Sequence, residues 1–365
     1  MVWWIRPLVR FIAALSLPLI VPTIITLIIW ALPGDPATTI CPPVTCPDTA
    51  REHLVETYSL RSPYSDGIRN AFGAPTQALE AGYDSSVGVI PQAEPLTWFQ
   101  YGGETLAGTV DAFFFLAAWL SHAVAFDFGR SPVVFTGFEV SDLLVSSIPN
   151  TASLMLVALI PILLGTFGAA TGWLPRRLDG LLSGIGVVPS VIFALFVVAA
   201  LTINLGPDDP LSTNLEWGQL YWDVQPLKLL AGGLVLGLAD GALSGAVTGT
   251  RSSFETEMKQ RYIGIAILRG EGVFSNALPN VLPTLVGQLR GRVLHLLSGT
   301  VIVEVVLQLD GLGDLLWRGT LGNDYFVVLA AAWGFSLLSA VMLFVQAASE
   351  VGVAMLIRRS PKVAA

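Results

Sequence analysis

An all-α polytopic membrane fold, with six transmembrane helices and an extracellular insertion after the first, is predicted by three features of the chain. Of its 365 residues 53% are apolar and only 13% charged, with a mean hydropathy of +0.68. No water-soluble domain of this length has that balance. Five apolar runs, at 8–32, 152–173, 181–205, 227–248 and 326–345, reach the roughly 20 residues that a ~30 Å hydrocarbon core requires. A sixth, over 285–309, carries Arg290, Arg292, His295 and Glu304. With the N-terminus inside, 13 of the 19 Lys and Arg residues fall on the cytoplasmic side: Arg6, Arg10, Arg176, Arg177, Arg251, Lys259, Arg261, Arg269, Arg290, Arg292, Arg358, Arg359 and Lys362. That is the asymmetry of the positive-inside rule.

The first run follows Arg6 and Arg10, is too long for a signal-peptide core and has no small-residue cleavage site before Pro33. It reads as a retained span over 1–32. The next stretch, 33–150, is an extracellular segment with thirteen acidic residues against Arg51, Arg61, Arg69 and Arg130, and Asp208, Asp209, Glu216 and Asp223 make a later outer loop acidic too. The acidic face suits high-salt surroundings or a basic partner, and solvated loops with no specific role are the plainer reading. Nucleic acid is excluded as a partner. Cys41 and Cys46 are the two cysteines; an oxidising exterior permits a disulfide between them, the alternative being two separate thiols. Two cysteines cannot complete a structural metal site, and His53, His122 and His295 show no ligand spacing. No metal and no cofactor are expected.

Within the outer segment, 62–103 is expected to form a small subdomain. The stretch 106–126 is apolar enough to cross the membrane, but a crossing would invert every later loop and bury Asp111 and His122 in lipid. It is therefore expected to be an interfacial helix, lying on the membrane or capping the pore. Pro149-Asn150-Thr151 offers a helix start for the second span, and Pro175-Arg176-Arg177 closes an inner hairpin to the third. The fourth span is expected to end near Thr248-Gly-Thr-Arg251, followed by a helix over 254–268 that Gly270 stops. Pro279 and Pro283 are expected to limit the next helix to a short piece before the fifth span. Asp310-Gly-Leu-Gly313 reads as a tight outer turn. Residues 151–357 then form a five-helix core containing a cytoplasmic loop at 255–283, and 358–365 a cytoplasmic tail.

That loop holds Tyr262-Ile-Gly-Ile-Ala-Ile-Leu-Arg-Gly270 and Asn276-Ala-Leu-Pro-Asn-Val-Leu-Pro283, a compact small-residue plug fitted to a groove on a partner. It resembles the loop by which an ABC-importer permease grips its ATPase. Other fragments, in order, resemble the permease subunits of dipeptide, oligopeptide and nickel importers, the binding-protein-dependent transport permease family. They are Leu32-Pro-Gly-Asp-Pro36, Phe126-Asp-Phe-Gly-Arg-Ser131, Ile148-Pro-Asn-Thr151, Val301-Ile-Val-Glu304, Gly311-Leu-Gly313 and Asn323-Asp-Tyr325. The chain departs from the family where Gly264 replaces a Glu, Ile265 an Ala and Asp310 a Pro. Residues 62–106 have no counterpart in the resemblance.

The resemblance implies a multi-pass cell-membrane protein with both termini cytoplasmic. A second homologous permease would complete the translocation path, two ATP-binding subunits would dock at the loops, and an extracellular solute-binding protein would deliver a peptide-like solute. Tyr262, Ala266, Gly270, Asn280, Leu282 and Pro283 would couple the chain to an ATPase. Arg290, Arg292 and His295 are either path-lining groups or side chains that reach back to the headgroups, and Asp240 and Glu350 have the same status. Glu304 either lines the path or pins the outer turn. The chain has no Gly-x-x-x-x-Gly-Lys-Ser/Thr loop and so brings no ATPase of its own; it is not expected to be an enzyme. Gly311-Leu-Gly-Asp314 also resembles a motif of aspartyl intramembrane proteases, but the partner elements are missing. An ATPase-independent secondary transporter or channel would show inverted repeats, which are not evident, and a scaffold that has lost coupling is a third reading.

Single cysteines placed at Asp179 and Asp208 in a chain free of Cys41 and Cys46 should be labelled from the inside and the outside respectively. Labelling of Asp179→Cys from outside would refute the orientation.

Overall fold

The computed structural model describes residues 5–31, 48–73, 97–205 and 219–359. Cys41, Cys46, the Pro-Gly-Asp-Pro stretch and most of the third-to-fourth-span loop lie outside these residues. The described chain is helical: α1 (Ile5–Ala31), α2 (Asp48–Tyr58), α3 (Ser65–Ala71), α4 (Trp98–Val124), α5 (Val140–Thr171), α6 (Leu178–Gly186), α7 (Ser190–Leu205), α8 (Tyr221–Val224), α9 (Pro226–Leu238), α10 (Ala242–Met258), α11 (Arg261–Leu268), α12 (Val273–Leu307), α13 (Leu312–Leu321) and α14 (Tyr325–Arg359). Five continuous stretches are long and apolar enough to cross a membrane, and two bent pairs raise the number to seven. The six expected spans correspond to α1, α5, α6–α7, α9–α10, α12–α13 and α14. The seventh candidate is α4.

Several boundaries differ from expectation, each for a local reason. The second span does not start at Pro149, because α5 begins at Val140 and runs through both Pro149 and Pro161. Nor do Pro279 and Pro283 confine a short helix, since both lie inside the 35 residues of α12. A proline inside a helix leaves one carbonyl without its amide partner, which packed neighbouring helices tolerate better than water does. The third span is not one rod: α6 and α7 meet at 93°. The fourth is broken at Ala239–Gly241, where Asp240 (φ 51°) and Gly241 (φ 75°) are both left-handed.

The two breaks support each other. The Asp240 carboxylate accepts the Ser190 N–H at 3.1 Å, capping the start of α7, while the Asp240 N–H donates to the Val188 carbonyl at 3.2 Å. A carboxylate at a helix N-terminus satisfies an orphan donor and matches the helix dipole. The helix expected over 254–268 is likewise two pieces, because α10 continues to Met258 and Gln260 takes an extended conformation before α11.

The chain divides into two compact units. The first comprises residues 1–17, 145–317 and 334–365. Its core gathers Leu154, Met155, Ala158, Ile162, Leu229, Leu236, Leu296, Val303 and Leu307 from α5, α9 and α12. Small residues set the α5–α9 approach: a Cβ at Gly237 would sit 2.6 Å from the Ala158 carbonyl, and one at Gly233 would overlap Val157. Close backbone approach through small residues is how helices pack when lipid offers no hydrophobic drive.

The second unit comprises residues 18–144 and 318–333. There α3 is held on α4 by Arg69, whose guanidinium lies 3.1 Å from Glu104 and 3.2 Å from Asp111. Asp111 is fully buried and also accepts the Ser62 N–H. Asp324, just before α14, accepts the Ser131 hydroxyl at 2.6 Å and the Val133 and Val134 amides at 3.3 and 3.2 Å. Two of the family-like fragments, around Ser131 and Asp324, thus meet in one turn.

Removing one partner of a buried ion pair strands the other, at about 3–5 kcal/mol. Arg69→Met should therefore lower the thermal midpoint of the detergent-solubilised protein clearly, and Arg69→Met with Asp111→Leu should recover most of the loss. Equal destabilisation by the single and double variants would show that Asp111 is not the stranded group.

Candidate functional site

The candidate docking loop is built on α11, an eight-residue helix between α10 and α12. It ends in a Schellman turn. Gly270 is left-handed (φ +72°), its N–H donates to the Ile267 carbonyl at 3.0 Å, and the Glu271 N–H donates to Ala266 at 2.9 Å. Both bonds close carbonyls that the end of a helix would leave open. A Cβ at Gly270 would meet nothing within 4 Å, so within this chain the glycine answers to backbone conformation and not to crowding.

One face of α11 is buried through Ile263 and Ala266, and Ala277 and Val281 of α12 are buried as well. Tyr262 ties the three helices: its hydroxyl donates to the Glu257 carboxylate near the end of α10 and accepts from Asn280 Nδ2 of α12 at 2.7 Å. Burial, then the bond to Glu257, raises the Tyr262 phenol above its ordinary value, so it stays protonated and keeps donating. The other face of α11 is apolar and open. Ile265 and Ile267 are exposed, and Leu268 is 88% exposed.

Leu282 and Pro283 do not begin a helix, as expected from the sequence, but sit within α12. Beside the loop a cavity of about 430 Å³ is lined by Leu174, Arg251, Phe254, Met258, Phe274 and Ala277 among others. Phe254 and Phe274 stack there with centroids 5.7 Å apart. Arg251 pairs with Asp179 and donates to the Leu174 carbonyl at 2.6 Å, fixing α10 to the hairpin before α6.

A second site lies where three other family-like fragments converge. Glu304, 1% exposed, accepts the Thr151 hydroxyl at 2.7 Å and the Gly313 N–H at 2.5 Å. Thr151 Oγ1 in turn accepts the Leu312 N–H at 2.8 Å. Asn150 donates to the Asp310 carbonyl at 3.1 Å and accepts the Tyr221 N–H at 3.3 Å. The Tyr221 hydroxyl accepts the Asp310 N–H, and Lys228 donates to the Gln308 carbonyl at 3.2 Å. Burial raises the Tyr221 phenol.

The candidate path residues are not gathered at one point. Arg292 donates to Gln288 at 2.9 Å and to the Gly245 and Ala246 carbonyls of α10, both at 3.4 Å. His295 is exposed, while the Arg290 side chain lies outside the described residues. Glu350 accepts from Gln346 at 2.9 Å, and Asp240 caps α7. Sequence reasoning missed Tyr221 and Lys228 as partners of the outer turn, because both follow the stretch 206–218, where no pattern linked them to it. The signal for Asn150 and Thr151 was present in Ile148-Pro-Asn-Thr151, though only as a helix start.

A family model described as the binding-protein-dependent transport system inner membrane component matches residues 161–354. The oligopeptide transport system permease protein AppB of Bacillus subtilis (strain 168) is 31% identical over 241 residues, 62% of this chain and 73% of that protein. The dipeptide transport system permease protein DppB of the same organism is 26% identical over 62% of this chain and 73% of its own length. The oligopeptide transport system permease protein OppB of Salmonella typhimurium is 24% identical over 56% and 67%. The matched segment holds α11, the Arg292 brace and Glu304 with its turn, and it exceeds half the chain: this protein belongs to the binding-protein-dependent transport system inner membrane components, and is a membrane permease subunit.

Proposed function

We propose that the chain forms, with a second permease, the translocation path for a peptide-like solute, and that separate ATPase subunits drive it through α11. The observation that carries the reading is the open apolar face of α11, a short helix braced from behind and offering Ile265, Ile267 and Leu268 to a partner. The names of the relatives support peptides as the solute class, and an extracellular binding protein as the source of specificity fits the family's description.

Tyr262 gives the mechanism its lever. A partner that moves α11 pulls on Glu257 of α10 and Asn280 of α12 through one phenol, and so on the fourth and fifth spans together. The transport cycle then needs only two packed arrangements of the bundle, with ATP binding biasing one of them. Among the path candidates, we assign Arg292 to bracing α12 on α10 and Glu304 to the outer turn, leaving His295 as a path-facing group.

Leu268→Asp alters a side chain that is open to its surroundings, so insertion and pairing with the second permease should persist while copurifying ATPase and ATP-dependent uptake are lost. Gly270→Asp should do the same, with added strain in the turn. Undiminished ATPase binding by Leu268→Asp would refute docking at this face and favour a transporter working alone. Tyr262→Phe should act differently. It removes a charge-assisted and a neutral hydrogen bond at an exposed position, together about 1 kcal/mol, so ATPase should still bind while solute moved per ATP hydrolysed falls. An unchanged ratio would remove Tyr262 from the coupling route.

A further inference from the structure

We propose that α4 lies along the outer surface of the membrane with a charge-free face seated in lipid, neither crossing the bilayer nor standing in water. The proposal rests on the chain being a membrane permease and is independent of how the ATPase docks. Depth is the first argument. Trp30, at the outer end of α1, and Tyr325, at the start of α14, have ring centroids 5.5 Å apart, so the two spans end at one level. The middle of α4 sits at that level. A Cβ on Gly108 would overlap the Trp30 carbonyl, and Phe115 stacks on Trp30 at 4.8 Å and meets Phe326 edge-on at 6.1 Å.

From Gly108 to the end of α4 the helix advances about 24 Å. Were it parallel to α14, it would end level with a point about sixteen residues into that span. Instead Phe126 and Phe128 meet Trp333, at 5.9 and 5.1 Å, and Ser131 is already back at Asp324 before α14 begins. The chain just past α4 therefore reaches only Trp333, eight residues and about 12 Å into α14, while the middle of α4 meets the outer ends of α1 and α14, so the helix runs across the spans instead of alongside them.

Chemistry is the second argument. Trp98, Leu106, Phe113, Ala117 and Val124 are all exposed, Trp98 at 92% and Val124 at 83%. Their spacings of 8, 7, 4 and 7 place them on one helical face. Glu104, Asp111 and His122 share a different face, and the first two are held by Arg69. The exposed stripe thus carries no charge over 27 residues. Water would leave that stripe as an apolar patch of a kind soluble surfaces avoid, whereas a bilayer surface matches it. Tyr64, Trp98 and Tyr101, all exposed, are of the two aromatic types that favour headgroup depth.

The test is a nitroxide scan of the full chain assembled with its partner subunits in phosphatidylethanolamine–phosphatidylglycerol nanodiscs. Single cysteines replace Leu106, Phe113, Ala117 and Val124 in a Cys41→Ser, Cys46→Ser background. All four labels should meet oxygen more than a water-soluble nickel chelate and should share one shallow depth, within about 10 Å of the headgroups. A depth that changes steadily from Leu106 to Val124 would overturn the proposal in favour of a span. Greater access to the chelate would do so in favour of a water-exposed cap, and protection from both reagents in favour of a protein partner. A label-free measurement guards against perturbation: quenching by lipids brominated near the headgroup should fall in Trp98→Phe relative to the parent, and an unchanged quenching would also overturn the proposal.

Discussion

The Glu304 carboxyl, buried beneath the Gly311-Leu-Gly313 turn, is the contact around which one end of the larger unit is arranged. No side chain fits above it: a Cβ on Gly313 would lie 2.8 Å from Glu304 Oε2 and 2.5 Å from the Val301 Cα, and one on Gly311 would overlap the carboxyl itself. Gly311 is therefore a consequence of the glutamate, and Gly313 of the glutamate together with the Val301 backbone. Thr151 serves the carboxyl with its proton and the turn with its lone pairs, which fixes the rotation of α5. Asn150, one residue earlier, then faces Asp310 and Tyr221. A polar group left unpaired in such a place costs several kcal/mol, so these bonds hold or release as a set. Sets of that kind give a bundle discrete arrangements in place of gradual deformation.

The candidate docking side is built differently. Its polar links, Glu257 to Tyr262 to Asn280 and Arg176 to Glu255, lie at exposed positions, where each is worth little by itself. Local stability consequently falls from the buried outer turn toward the loop, and segments that must move are drawn from the less stable end. The half-buried brace from Arg251 to Asp179 and Leu174 marks where the loop's freedom stops.

The spans were legible because their signal is length and apolarity, which survive any detail of packing. Helix breaks were not. Asp240 read as an ambiguous charge within a span, and only the distance to Ser190, fifty residues away, makes it a cap. Prolines misled in the opposite sense, since Pro149, Pro279 and Pro283 were weighed by a rule for helices in water. The family-like fragments located the outer turn's members without showing that they touch. For α4, the apparent expense of Asp111 depended on ignoring Arg69, forty-two residues earlier. Gly270 was read both as the stop of a helix and as a small residue for a docking partner; its φ of +72° accounts for the first, and within the chain nothing crowds it.

An eight-residue helix has too few internal bonds to persist by itself in water, and α11 has neither a side-chain cap at its N-terminus nor acidic residues in its first turn. Its shape is borrowed from the antiparallel seam of α10 and α12 and from the Schellman turn that joins it to α12. The apolar face of α11 consequently exists only in chains whose fourth and fifth spans have already paired. Under the docking proposed above, an ATPase that recognised that face would in effect inspect the permease, and incompletely folded chains would be passed over.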